Sequence, residues 1–338
     1  MRVLVVMNFG ADEATPQRGR WVIDQVAALR EGGIEVDLFS FPPGKERYAP
    51  ATRKIRRLIR ETRYDLVHAH YGLAGWCAEL AGADPLVVTF HGTDVRHRIV
   101  GRMSRLLTRR IALVAGASRA LFEEEAGRPG LPLPAGRSAV LPCGADVSRF
   151  EPIDRSAAKK RLGLDPDARY LFFPADPARP EKRFDRAREV AARSGAELLT
   201  GGGIDPDEMP LWMNAAHAVL VTSEYEGFGL ACLEALACDV PVLSAPVGIA
   251  PHALRGLDRS LCLDFDAEAW SDFATAILRQ DDPRTDGRPR AEALSARRMA
   301  DRVALAYRDL LAARSPADGG KSGGARVSGG NLRNDGVS

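Results

Sequence analysis

Two carboxylates, Glu226 and Glu234, stand with seven residues between them in Ser223-Glu224-Tyr225-Glu226-Gly227-Phe228-Gly229-Leu230-Ala231-Cys232-Leu233-Glu234. The two glycines mark a turn that opens a helix, and the apolar run Ala218-Val219-Leu220-Val221-Thr222 ahead of it predicts a buried strand. A strand–glycine turn–helix unit aims free backbone N–H groups and the positive end of a helix dipole at one spot, which favours an anion and phosphate above all. Glu226 falls at the mouth of the turn, and Glu234 lies further along the helix within reach of the same pocket. An anion cradle flanked by two hydrogen-bond acceptors suits a ligand with both phosphate and hydroxyl groups, such as a nucleotide sugar.

The elements that must position this turn recur along the chain. Short β-rich apolar runs at 3–7, 35–39, 65–69, 86–90, 112–117 and 139–141, then at 170–174, 196–200, 218–222, 240–244 and 260–263, alternate with helical patterns. The alternation predicts an α/β chain of two doubly wound parallel sheets, joined near Phe150-Glu151-Pro152, whose ligands bind beyond the carboxyl ends of the strands. Helices are expected over 17–31, closed by Gly32-Gly33, over 51–62 and 211–216, and as an amphipathic helix over 291–313. The expected division is 1–150, 151–290, that final helix, and a tail over 314–338. From Ser315 the tail carries seven glycines in 24 residues and almost no apolar side chains, so disorder is expected there.

A chain of 338 residues exceeds one usual core, and 45% apolar with 27% charged residues describes a globular protein. No run approaches the roughly 18 apolar residues of a membrane span, and Val3-Leu4-Val5-Val6-Met7 is too short for a signal-peptide core. Five cysteines, odd in number and widely spaced, form no zinc pattern and point to reduced thiols in the cytoplasm. The net charge of +2 conceals an asymmetry. Residues 1–150 hold 22 of the 47 Lys and Arg against 16 of the 45 Asp and Glu. No aromatic-interleaved basic groove or nucleic-acid motif accompanies that basic half, which argues against nucleic acid as partner.

The first turn, Asn8-Phe9-Gly10-Ala11-Asp12-Glu13, lacks the Gly-x-Gly-x-x-Gly of a dinucleotide site. Val88-Thr89-Phe90-His91-Gly92-Thr93-Asp94 places a histidine at the carboxyl end of a strand. In Val67-His68-Ala69-His70-Tyr71-Gly72, strand alternation puts both histidines on one face, where packing or polar contacts are expected of them. Arg179 and Lys182 stand in Pro177-Ala178-Arg179-Pro180-Glu181-Lys182, and three glycines follow Leu198-Leu199-Thr200.

These segments together resemble the Glu-x7-Glu retaining glycosyltransferases of family 4. The resemblance is strongest over 218–237 and ordered but scattered over roughly 1–313. It implies a GT-B fold, two Rossmann-like domains facing a central cleft, with the final helix packed back on the first. It also implies transfer of a sugar from a nucleotide-diphosphate sugar to a hydroxyl acceptor, with retention, in glycan, glycolipid or cell-envelope polysaccharide synthesis. By the same resemblance Glu226 contacts donor-sugar hydroxyls and Glu234 the ribose. Gly227, Phe228 and Gly229 offer N–H groups to sugar and phosphate, with Leu230 and Gly201 in the same substrate set. His91 lies beside the reacting sugar, and Gly10 approaches the donor phosphates and acceptor. Arg179 and Lys182 clamp the diphosphate, a pairing that needs no metal or other cofactor.

The chain departs from the pattern in four places. Pro177 stands where the family has an arginine, with Arg179 as the substitute, and Cys143 replaces an asparagine in the mainly architectural Pro142-Cys143-Gly144-Ala145-Asp146. Only 204–210 separate the glycine run from the next helix, which leaves the nucleotide open, and Pro251-His252 stands where Pro-Glu is usual. A non-catalytic sugar-nucleotide-binding protein and a GT-B epimerase remain as alternatives. The basic stretches 53–60 and 96–110, the second with Ile99, Met103 and Leu106 at helical spacing, fit either solvated helix faces or a peripheral contact with the inner membrane face. Such a contact would deliver a lipid-linked acceptor in place of a soluble sugar.

Overall fold

The computed structural model describes residues 1–9, 19–124 and 129–314. Gly10 and the tail from Ser315 lie outside the described residues. Six parallel strands form the first sheet: β1 (Arg2–Met7), β2 (Glu35–Ser40), β3 (Leu66–His70), β4 (Leu86–Phe90), β5 (Leu113–Gly116) and β6 (Ser138–Val140), in the order β2-β1-β3-β4-β5-β6. Five form the second: β7 (Tyr170–Phe173), β8 (Glu197–Thr200), β9 (Ala218–Val221), β10 (Val242–Ser244) and β11 (Leu261–Cys262), in the order β11-β10-β9-β7-β8.

Helices cover both faces of each sheet, which is why the strands read as unbroken apolar runs rather than alternating ones. Val3 through Met7 are all buried. On one side β1 meets Val22, Val26 and Leu29 of the helix Arg20–Glu31 and Val303 and Tyr307 of the helix Ala296–Arg314. On the other, the first sheet packs against Ile55, Ala74, Ala78 and Leu107. In the second sheet Leu171 and Leu220 pack on Val190 and on Trp270, which is wholly buried. Each sheet reverses its strand order beside its first strand, between β1 and β3 and between β7 and β9. Loops leaving those strands diverge and open a crevice, the usual ligand position in such sheets. Topology alone therefore brings the β7 loop, with Arg179 and Lys182, against the β9 turn, with Glu226.

Two helices differ from the sequence expectation. The helix expected over 51–62 runs from Lys45 to Glu61 and contains Pro50. The ring costs one helical hydrogen bond, yet the added turn is anchored by Tyr48, whose ring meets Phe41 edge-on with centroids 6.1 Å apart. The single helix expected over 291–313 is two, Arg288–Ala293 and Ala296–Arg314. The break has a partner far away in sequence. Ala145 N donates to Leu294 O (3.2 Å), and Ala296 N donates to Ala145 O (2.8 Å), so Ser295 forms a bridge with Ala145 instead of continuing the helix. The second helix then crosses to the first sheet, where buried Tyr307 places its hydroxyl 2.6 Å from His68 Nδ1.

Candidate functional site

The β9 turn and the β7 loop are fixed to one another before any charge is considered. Thr222 Oγ1 donates to the carbonyls of Lys182 (2.8 Å) and Arg183 (3.0 Å), and Glu224 N donates to Glu181 O (2.9 Å). On that frame Lys182 Nζ donates to Glu226 Oε1 at 2.6 Å, and Ser223 Oγ donates to the same oxygen at 2.7 Å. The Lys182 and Glu226 side chains are only 13% and 14% exposed, so their charges meet with little water between them. Arg179 also lines the cleft but is half exposed and forks onto Glu181.

Gly229 caps the helix Leu230–Ala237, and Gly227, Phe228, Leu230 and Ala231 at the start of that helix line the cleft. Glu234 points into the same space. Burial pushes its carboxyl up to about 7, partly offset by the nearby Arg149 guanidinium. Gly201 does not line the cleft. It packs beneath Pro174, where an added Cβ would lie 2.5 Å from backbone atoms, so its part is to let β8 leave the sheet close to the β7 loop.

The opposite wall comes from the first sheet. His91 follows β4, and its Nε2 lies 2.9 Å from His70 Nδ1 while its Nδ1 faces Cys143 Sγ at 3.9 Å. Burial holds the His91 imidazole down to about 3, so it is neutral at any physiological pH. The loop is tied down by buried Asp94, which accepts from the backbone N–H groups of His91 and Gly92 at one oxygen and of Gly72 at the other, each at 3.0 Å. Desolvation lifts the Asp94 carboxyl to about 6 despite those bonds. Tyr71, at φ 74°, sits in a backbone region costly for a residue with a side chain. Its ring stacks on Phe9 at 4.1 Å and leans on His91 at 4.7 Å. His68 and His70 are both buried with rings 4.3 Å apart, as alternation predicts.

The two walls touch. An added Cβ at Gly227 would fall well inside contact distance of the His91 carbonyl oxygen, so only glycine allows the β9 turn to close on the β4 loop. At the other end of the cleft Arg149 donates to Asp24 Oδ2 (3.2 Å) and Pro206 O (2.9 Å), and Arg20 pairs with Asp207 at 3.3 Å. Sequence reasoning missed Tyr71, Asp94, Arg149 and Asp24. Only Asp94 left a signal, an acid at the start of a short helix three positions after His91. Cys143 also proves more than architectural, since it borders the cleft beside His91.

Residues 19–149 match the family described as Glycosyltransferase Family 4, and residues 176–293 match Glycosyl transferases group 1. A D-inositol 3-phosphate glycosyltransferase from Geodermatophilus obscurus is 30% identical over 304 residues, covering 72% of this chain and 66% of that protein. The chain thus spans just under two thirds of that relative. Among solved structures, sucrose-phosphate synthase from Thermosynechococcus elongatus superposes with a TM-score of 0.67 at 18% identity, over 93% of this chain and all of that one. HepE from Anabaena, solved with UDP and glucose, superposes with a TM-score of 0.66 at 17% identity, over 90% and 98%. These two likenesses show the fold, two Rossmann-like units in the GT-B arrangement.

Proposed function

Because the chain belongs to the group 1 glycosyltransferases, in the family 4 class, we propose that it transfers a sugar from a nucleotide-diphosphate sugar to a hydroxyl acceptor with retention at the anomeric carbon. The observation that carries this reading is the Lys182–Glu226 pair at the mouth of a helix-terminal turn. Lys182, Arg179 and the N–H groups of Gly227, Phe228 and Gly229 hold the diphosphate, and Glu226 and His91 face the sugar. Glu234 accepts the ribose hydroxyls. As the anomeric carbon–oxygen bond breaks, the developing charge on the diphosphate meets preorganised donors. The acceptor oxygen bonds to the same face of the sugar, and its proton passes to the departing diphosphate oxygen. No metal is needed where Lys182 and Arg179 supply the positive charge. The relatives named for UDP and for D-inositol 3-phosphate support a nucleotide-sugar donor and a polyhydroxylated acceptor. Proton NMR of the product from a UDP-sugar donor tests the stereochemistry: the anomeric coupling of the donor persists under this reading, and an inverted anomer contradicts it.

Glu234 sets a pH dependence. The carboxyl of the free protein sits near 7, and only the ionised form accepts from two ribose hydroxyls at once. Nucleotide binding therefore strengthens as pH rises through 7 and levels off above it. The slope approaches about tenfold per pH unit on the acid side. Glu234→Gln removes that slope in calorimetric titrations with UDP, and an unchanged slope contradicts the assignment.

On the acceptor side we place a contact with anionic lipid. Ile99 (65% exposed), Leu106 (53%) and Met103 form one stripe on the helix Arg98–Leu107, flanked by Arg98, Arg102 and Arg109. Apolar side chains among arginines on an exposed helix suit the interface of a negatively charged bilayer. Among the described residues no helix is long and apolar enough to cross a membrane. Co-sedimentation with phosphatidylglycerol-containing vesicles is expected, weakened by salt and by Ile99→Asp with Leu106→Asp. Equal pelleting with neutral vesicles contradicts it.

A further inference from the structure

A second concavity, of about 260 Å³, shares no lining residue with the cleft. It lies where the helices Ala250–Ala253, Arg288–Ala293 and Ala296–Arg314 meet, with Arg290, Arg298, Arg302 and His252 around it and Leu294 and Met299 beneath. Among the described residues no carboxylate lines it. Of the acids on the same helices, Glu292 pairs with Arg288 at 3.1 Å and Asp301 with Arg297 at 3.6 Å.

Arg298 and Arg302 stand one helical turn apart, where like charges repel, and among the described residues their guanidinium groups have no ion-pair or hydrogen-bond partner. Arg290 is held in place by the carbonyls of His252 (3.4 Å) and Arg255 (3.0 Å). Three arginines lining one concavity, with no carboxylate beside them among the described residues, suit the oxygens of a phosphate, and the buried Leu294 and Met299 beneath them suit an apolar or ring-shaped body.

We propose that this concavity binds a small organic phosphate monoester, with its phosphate on Arg290, Arg298 and Arg302 and its carbon body on Leu294 and Met299. The site is connected to the donor turn through two elements. The helix Arg288–Ala293 packs on the helix that carries Glu234, and His252 follows Ile249, whose N–H donates to Phe228 O at 2.7 Å.

Calorimetric titration of the full chain with glucose 6-phosphate, inorganic phosphate and glucose tests the proposal. It is run on the unmodified protein, on Lys182→Ala and on the double variant Arg298→Ala/Arg302→Ala, with thermal melts confirming that each is folded. The ester is expected to bind the unmodified protein and Lys182→Ala equally, inorganic phosphate more weakly and glucose not at all. The double variant is expected to bind the ester about tenfold or more weakly. Loss of ester binding in Lys182→Ala would place the ligand in the donor cleft and overturn the proposal without touching the cleft's own assignment. Unchanged affinity in the double variant, or inorganic phosphate binding as tightly as the ester, would overturn it as well.

Discussion

Lys182→Ala lowers kcat/KM for transfer from a nucleotide-diphosphate sugar by about 10²–10³-fold, the usual cost of removing one preorganised charge from a transition state that gathers negative charge on the leaving group. The loss falls on kcat as well as KM, because the diphosphate carries more charge while leaving than in the bound donor. Two features make Lys182 the sharper probe than Arg179. Its ammonium is largely buried, whereas Arg179 is half exposed and already committed to Glu181. Its position is also fixed through its own carbonyl by Thr222, so the frame persists when the side chain goes. The fold is expected to survive, with Glu226 keeping its bond from Ser223. Steady-state kinetics beside a thermal melt check this, and near-normal turnover in a folded variant contradicts the site.

Gly227→Ala is expected to cost about 10²-fold in kcat/KM, with nucleotide binding weakened as well, although one methyl group is added and no functional group is lost. The methyl has nowhere to go: it meets the His91 carbonyl, and the β4 loop behind that carbonyl is pinned by Asp94. The turn must withdraw from the opposite wall, and displacement of reacting groups by about 1 Å is enough for a loss of that size. The effect distinguishes a cleft that works closed from one that binds donor on a single wall. Turnover close to that of the unmodified chain would mean that the contact between the two walls is incidental.

Both sheets were legible in the sequence because strands covered on both faces leave unbroken apolar runs, and Val3–Met7 and Ala218–Val221 show nothing else. The Glu226–Glu234 turn was legible for a local reason, since glycines, acids and helix start lie within one short segment. What escaped depends on contacts between distant segments. Arg149 meets Asp24 across 125 positions, and neither neighbourhood marks the pair. Cys143 reads as a loop substitution until β4 brings His91 beside it. The break in the final helix is invisible because Leu294-Ser295 carries no breaker, and only the bridge to Ala145 ends the turn. The extra turn ahead of the helix expected over 51–62 was hidden for the same reason, since Pro50 disfavours a helix there and only the packing of Tyr48 on Phe41 supports it.

A sugar-nucleotide diphosphate held at the Lys182–Glu226 turn would make nucleotide binding depend on Lys182. Calorimetric titration with UDP, on the unmodified chain and on Lys182→Ala at pH 8 where Glu234 is ionised, tests it most directly. Saturable one-to-one binding that weakens at least about tenfold in the folded variant is the predicted result. Equal affinity in the two proteins would contradict it.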